Sequence, residues 1–425
     1  MTPESAPQPL VLRREAFGGI LFDPLDGTYL ELDPEGFEVV RGWLVDGRAP
    51  ATPEEQSFVE SVHREMPTLA AGSRRVRARI EVEAMAPTQH ATVLASPTLV
   101  DLQVTNRCTV GCPQCYASSV PDGEHMAFED AARILHELAA AGVCQIAIGG
   151  GEPLLHPQIV EIIELAYDLG IVPNVTTTGL ALTPRVLETM ARCCGAVALS
   201  LEDVGEGFAK RRKTGAGFFE ASLEKLRAHK IRTVFQVTLS AENLPRLPAI
   251  VDYCLAVPDL YGVIFLAYKA VGRGDGYDTQ LSAVHPGELY PWLREAFLRL
   301  SGHTKVGYDC CITPGIAGID VELGFTDLDL LEGCSAARTS VGISANLEVV
   351  PCTFTTHLPL GNLAQRSFMD VWHGSPSTGF RTALDTQGDA RTETCSPCRL
   401  RNSCLGGCPV WDLVRCTTRP PELDG

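Results

Sequence analysis

The chain has 425 residues, 45% of them hydrophobic, and carries 52 acidic against 35 basic side chains for a formal charge of −17. That is enough apolar material for two or three domains, and the acidic balance argues against a nucleic-acid partner, because phosphate binding needs a basic surface. No apolar stretch is long enough to span a bilayer and Met1 to Pro9 lack a charged-then-apolar signal layout, so a cytoplasmic protein without a membrane partner is expected.

Residues 10–32 read as three short strands: Leu10-Val11-Leu12-Arg13, Gly19-Ile20-Leu21-Phe22-Asp23 and Thr28-Tyr29-Leu30-Glu31-Leu32, with Asp26-Gly27 as a tight-hairpin signal. Asp33 followed by Pro34 starts a helix through Phe37, Val40, Trp43 and Leu44 that ends near Gly47. Thr52 and Glu55 form a capping box for a second helix through Phe58 and Val62. Three strands followed by helices resemble the winged-helix-like (β3α) recognition domain found on maturases of ribosomally made peptides (RiPPs). The resemblance implies that residues 1–72 bind a precursor peptide by adding its leader as a strand at the sheet edge. A small domain that merely packs on its neighbour is the alternative. Residues 73–97, with Pro87 and Pro97, read as a linker. The basic runs Arg74-Arg75-Val76-Arg77-Ala78-Arg79 and Lys210-Arg211-Arg212-Lys213 read as solvated faces.

Over 98–304, strands at 98–104, 143–148, 171–176, 196–201, 232–239 and 261–267 alternate with helices near 128–141, 157–169, 184–193, 219–229, 245–256 and 286–300. Six βα units predict an α/β fold, a parallel sheet curled into a partial (β/α)6 TIM-like barrel, with a flat doubly wound sheet as the alternative. Ligands gather at the carboxyl ends of such strands. There the sequence places Cys108, Cys112 and Cys115, spaced C-x3-C-x2-C and followed by Tyr116. After the second strand come Gly149-Gly150-Gly151-Glu152-Pro153, after the third Thr176-Thr177-Thr178-Gly179, at the end of the fourth Ser200, and after the sixth Lys269 to Gly274. Three thiolates on one loop can hold three irons of a four-iron cluster and leave the fourth open. A structural zinc site wants a fourth ligand, and the loop has none.

This spacing, with an aromatic residue behind it and the GGEP segment one βα unit later, resembles the radical S-adenosylmethionine (SAM) superfamily. The resemblance implies a SAM-binding 4Fe-4S cluster on Cys108, Cys112 and Cys115. It also implies a cofactor cradle of Tyr116, Gly150, Gly151, Glu152, Pro153, Ser200 and Arg212, with the amino group of SAM held by Gly150, Gly151 and Glu152. Val271-Gly272-Arg273-Gly274 looks like the family's segment after the sixth strand. The family's asparagine before the third-strand glycine is Thr178 here, and its aspartate after the fourth-strand serine is Glu202.

The chain has sixteen cysteines, and in a reducing compartment clustered cysteines are metal ligands rather than disulfides. Past residue 305 they run Cys334, Cys352, Cys395, Cys398, Cys404, Cys408 and Cys416. This order resembles the SPASM extension of radical SAM enzymes, which carries two auxiliary 4Fe-4S clusters. By that resemblance Cys395, Cys398, Cys404 and Cys416 hold the outer cluster and Cys334, Cys352 and Cys408 the inner one, over residues 305–425. The inner cluster takes Cys310, Cys311 or no protein group as its fourth ligand, and Leu347 stands where the family has glycine. Paired zinc ribbons are the alternative for these residues. Cys144, Cys193, Cys194 and Cys254 fall in barrel elements and read as inert core thiols.

The implied activity is oxidative crosslinking of a precursor peptide, by a thioether or carbon–carbon bond, driven by SAM, three 4Fe-4S clusters and a flavodoxin- or ferredoxin-type reductant. Sulfatase-maturase-like residue oxidation, tetrapyrrole modification, and a non-catalytic iron–sulfur scaffold or electron carrier are the other readings.

Overall fold

Alternation of side chains along a strand decides the N-terminal architecture. The computed structural model describes residues 9–25, 27–71, 76–80, 93–322, 333–390, 404–408, 410, 413, 414 and 416. Strands β1 (Leu10–Glu15), β2 (Gly18–Phe22) and β3 (Tyr29–Leu32) are antiparallel neighbours. A further strand, β4 (Val76–Ile80), lies within the segment read as a linker and pairs parallel to β1, giving the order β3-β2-β1-β4. On one face Leu10, Leu12 and Leu21 pack with Phe37, Val40 and Val62 of the helices that follow; on the other Val11, Ile20 and Phe22 pack with Cys144 and Val172. The first helix, Pro34–Val40, is capped by Asp33, whose carboxylate accepts from the Gly36 N–H at 2.6 Å, and it ends in a π turn, Arg41–Val45. The second, Pro53–Glu65, carries the expected Thr52/Glu55 capping box.

The central sheet is parallel and open. Its strands β5 (Leu99–Thr105), β6 (Gln145–Gly150), β7 (Val172–Thr177), β8 (Val197–Ser200), β9 (Thr233–Leu239), β10 (Gly262–Ala267) and β11 (Lys305–Tyr308) stand side by side in chain order. These are the six expected strands plus β11. The two ends of the array do not pair with each other, so the sheet is not a closed barrel. Helices cover the outer face: Phe128–Ala140, for example, buries Ala131, Ile134, Leu135 and Leu138 on one stripe, in the same core as Val100, Leu102 and Val104 of β5. By the period of two, Asp101, Gln103 and Thr105 of β5 face inward, into the lumen.

Residues beyond 305 extend the sheet at both ends. At one end β11 adds to β10; at the other β12 (Ser340–Ile343) pairs parallel to β5 and continues antiparallel through β13 (Glu348–Val350) and β14 (Gly361–Asn362). The β12–β13 turn keeps its left-handed residue, because Leu347 adopts φ +67° where the family has glycine. Side-chain crowding makes that conformation cost about 1–2 kcal/mol for a non-glycine residue. Among the described residues no helix is long and apolar enough to cross a membrane.

Arg13 joins the N-terminal sheet to the central one. Its buried guanidinium donates to Glu15 Oε1 at 2.7 Å, Ser96 Oγ at 2.8 Å, and the carbonyls of Ser96, Pro97 and Gly142 at 2.9, 3.2 and 2.9 Å, while Glu15 Oε2 accepts from the Ala95 N–H at 2.7 Å. Removing one member of a buried pair strands the other. Arg13→Ala should therefore lower stability to urea by about 3–5 kcal/mol, whereas Arg13→Met combined with Glu15→Leu, which removes both charges, should lose clearly less.

Candidate active site at the strand carboxyl ends

The cysteine loop leaves β5 and is gripped by its neighbours through backbone contacts. The Gly151 N–H donates to Thr105 O at 2.7 Å and the Glu152 N–H to Arg107 O at 2.8 Å. A Cβ on Gly150 or Gly151 would lie 2.2 Å from Thr105 O or Arg107 O, and Gly150 has φ +114°. The glycines of this segment thus let two backbones touch, which no side chain would allow. From the far side, Arg273 Nε donates to Cys112 O at 2.9 Å and its terminal nitrogens to Ser119 O at 3.1 Å. A Cβ on Gly272 would lie 2.1 Å from Tyr116 O. The segment Val271 to Gly274 therefore braces the loop that carries all three cysteines.

Cys108 and Cys112 are buried and Cys115 is half-buried, together with Val110 and Leu180. Burial raises the thiol pKa of Cys108 and Cys112, and at Cys112 the Arg212 guanidinium pulls the other way. Arg212 donates to Cys112 Sγ at 3.5 Å and to Glu202 Oε1 at 2.8 Å; Glu202 Oε2 accepts from the Gln114 amide at 3.0 Å. Half of the basic run 210–213 is therefore not a solvated face. Arg211 is buried against Asp203 and Asp278 and Arg212 is half-buried against Glu202, while Lys210 and Lys213 are exposed.

Glu152 is fully buried, and burial raises its pKa against four hydrogen bonds that favour the carboxylate. Oε1 accepts from Thr177 Oγ1 at 2.6 Å and the Leu154 N–H at 3.3 Å, and Oε2 from Thr178 N–H at 2.8 Å and Thr178 Oγ1 at 2.6 Å. Thr178 thus positions the carboxylate next to the cysteine loop, a role the bare sequence did not give it. Pro153 is buried in the first turn behind Glu152, and Ser200 is buried at the end of β8.

The donor set fits an iron–sulfur cluster with a bound cofactor. Three buried polar atoms around the loop, Gln114 Oε1, Ser119 Oγ and Arg212 Nε, have no hydrogen-bond partner among the described residues. Among the described residues no three Cys, His, Asp or Glu converge tightly enough for a single metal ion; a four-iron cube is larger and takes thiolates that stand further apart.

Across the lumen lies a second group of thiols. Cys310 is hydrogen-bonded to Cys311 and Cys334, and Cys311 to Cys408, with Cys352 alongside. The bonds from Cys311 and Cys334 lower the pKa of Cys310, while those two thiols are raised. Cys310 and Cys311, the alternatives for the fourth ligand, both come to the inner group, so five thiols gather there. Cys404 is half-buried and Cys416 exposed, while Cys395 and Cys398 lie outside the described residues. Cys144, Cys193 and Cys254 are buried, Cys194 is half-buried, and burial raises Cys193 to about 11 and Cys254 to about 12.

Between the two thiol groups stand Tyr116, expected in the cofactor cradle, and residues that sequence reasoning missed. The Tyr116 hydroxyl bonds to Gln103 and Thr353, and its ring packs on Phe354 at 4.6 Å. Burial, with the charge of Cys310 second, raises Asp101 to about 6. Buried Lys269 pairs with Asp309 at 2.7 Å. Alternation along β5 could have found Asp101; nothing in the sequence pairs Lys269 with Asp309.

The sequence matches the Radical SAM superfamily over residues 102–254 and an iron–sulfur cluster-binding domain, SPASM, over residues 334–399. An AdoMet-dependent heme synthase of Methanosarcina barkeri is 25% identical over 331 residues, covering 73% of this chain and 91% of that protein. A PqqA peptide cyclase of Bradyrhizobium diazoefficiens is 32% identical over 223 residues, 50% of this chain and 58% of its own length. The fold is that of Streptococcus suis SuiB bound to precursor peptide SuiA, with a TM-score of 0.68, 18% identity and 94% of each chain covered.

Because Gly272 combines φ +61° with a backbone oxygen where its Cβ would go, Gly272→Ala should push the brace off the cysteine loop. The left-handed conformation alone costs about 1–2 kcal/mol and the clash adds to it, so a lowered thermal midpoint together with reduced iron retention is expected.

Proposed function

This chain is a radical SAM enzyme with a SPASM domain, and from that premise we propose that it matures a ribosomally synthesised precursor peptide by forming an oxidative crosslink between side chains. The N-terminal sheet, in which β3 is the terminal strand among the described residues, carries this reading, on a fold shared over 94% of the chain with an enzyme solved with its precursor peptide. A peptide cyclase among the relatives points to the same substrate class. The heme synthase relative favours a tetrapyrrole as the second reading, but a tetrapyrrole has no use for a strand-pairing edge.

Cys108, Cys112 and Cys115 would hold the cluster that takes SAM. Gly150, Gly151 and Glu152 would receive its ammonium group, with Tyr116, Pro153, Ser200 and Arg212 completing the cradle. The chemistry such a site would supply is one-electron cleavage of SAM to methionine and a 5′-deoxyadenosyl radical, which would take a hydrogen atom from the peptide. Glu152, fixed by Thr177 and Thr178, keeps a formed acceptor in place before the cofactor arrives, so little is spent on ordering it. Cys334, Cys352 and Cys408 would hold an inner auxiliary cluster, with Cys310 or Cys311 within reach as its fourth ligand, and Cys395, Cys398, Cys404 and Cys416 an outer one, making three. An oxidation needs an acceptor for its second electron, and these clusters supply one. The fourteen described cysteines are free thiols, as suits the cytoplasm, where a flavodoxin- or ferredoxin-type protein would deliver the first electron.

The β3 edge offers its backbone in a definite register. Asp23 N–H donates to Thr28 O at 2.9 Å. Pairs alternate in an antiparallel ladder, so Tyr29 and Glu31 direct their N–H and C=O groups outward. Glu31→Pro should weaken binding of a fluorescent precursor peptide at least tenfold while leaving SAM cleavage unchanged; equal affinity would exclude strand addition at this edge. In the dithionite-reduced protein, Cys112→Ala should abolish 5′-deoxyadenosine formation. Cys352→Ala should retain part of it and lose the crosslinked peptide, read by mass spectrometry as the loss of two hydrogens.

A further inference from the structure

Lys269 is the only lysine buried among the described residues, and its ammonium is held by two oxygens and an aromatic ring. Nζ donates to Asp309 Oδ2 at 2.7 Å and to Ala267 O at 3.1 Å, and stands 4.1 Å over the Phe354 ring. Nothing is left for a substrate, so this is a fixed charge rather than a binding group. Its backbone is fixed as well. The neighbouring Tyr268 hydroxyl donates to Gly274 O, within the segment that braces the cysteine loop. Asp309 Oδ2 also accepts from the Ala267 N–H at 3.1 Å, and its buried Oδ1 has no hydrogen-bond partner among the described residues.

The charge faces the inner thiols. Lys269 acts electrostatically on Cys310, Cys311 and Cys352. Asp309 adjoins Cys310 in the chain and opposes the cation at Cys310 and Cys311, whereas Phe354, over whose ring Lys269 Nζ stands at 4.1 Å, is two residues from Cys352. A buried ion pair is weak evidence for stability, since desolvation consumes most of the attraction. Beside a cluster of thiolates, however, a fixed cation favours the more negative, reduced state.

We propose that Lys269 and Asp309 are positioning residues that set the reduction potential of the inner auxiliary cluster, Lys269 raising it and Asp309 restraining the rise. The inference rests on the reading of Cys334, Cys352 and Cys408 as ligands of that cluster. It predicts opposite effects from the two partners of a single ion pair, which a purely structural role does not.

The test is an EPR-monitored redox titration of the full chain carrying Cys108→Ala, Cys112→Ala and Cys115→Ala, so that only auxiliary clusters contribute. The inner signal is the one lost on adding Cys352→Ala. Lys269→Met should move that signal to lower potential, Lys269→Arg should restore most of the shift, and Asp309→Asn should move it to higher potential, all at unchanged iron content. Shifts of the same sign in Lys269→Met and Asp309→Asn, or none in either, overturn the proposal. Should Lys269→Met fail to assemble the cluster, Asp309→Asn decides alone: a rise supports the proposal and any other result overturns it. Absence of any Cys352-dependent signal overturns the auxiliary-cluster reading, and this proposal with it.

Discussion

Everything at the mouth of the sheet depends on one close approach, the backbone of Gly150 and Gly151 laid against the carbonyls of Thr105 and Arg107. Backbone contact at this range leaves no room for adjustment, so it fixes the start of the cysteine loop relative to the Glu152 carboxylate. The Val271–Gly274 segment then holds the other end of the loop by the same means, with Arg273 on two of its carbonyls. Reactive thiols on an otherwise irregular loop thereby gain the positional precision of the strands beneath them.

Charge inside the lumen follows a similar economy. Arg212 is balanced by Glu202 beside the first thiol group, and Lys269 by Asp309 beside the second. Each pair keeps a cation next to sulfur while keeping the pair as a whole neutral, which burial demands. Tyr116 and Phe354 stand in ring contact between these two centres.

Much of this was legible in the sequence. The helix 184–193 carries its start in Thr183-Pro184 and is found at those residues, with Thr183 accepting from the Val186 N–H. The six central strands were readable because parallel strands buried by helices are nearly continuous apolar runs. What escaped was set by partners remote in the chain. Val76–Ile80, rich in arginine, became a strand because β1 had a free edge. Lys305–Tyr308 became one because β10 did. Arg211 and Arg212 looked like solvated charges because their counter-charges, Asp278 and Glu202, cannot be matched to them by spacing. Leu347 shows the reverse: a residue against local propensity held in a left-handed turn by the strands on either side.

The pairing of β12 with β5 has a consequence for biogenesis. Leu99 meets Ser340, and Leu102 meets Ile343, across most of the chain's length. Contacts so distant in sequence close late, because the intervening loop must surrender its freedom first. While the ribosome is still making the last third of the protein, the strand that launches Cys108 has one flank bare. Nascent chains therefore pass through a stage in which the cysteine loop is already made and the strand that will flank its root is not.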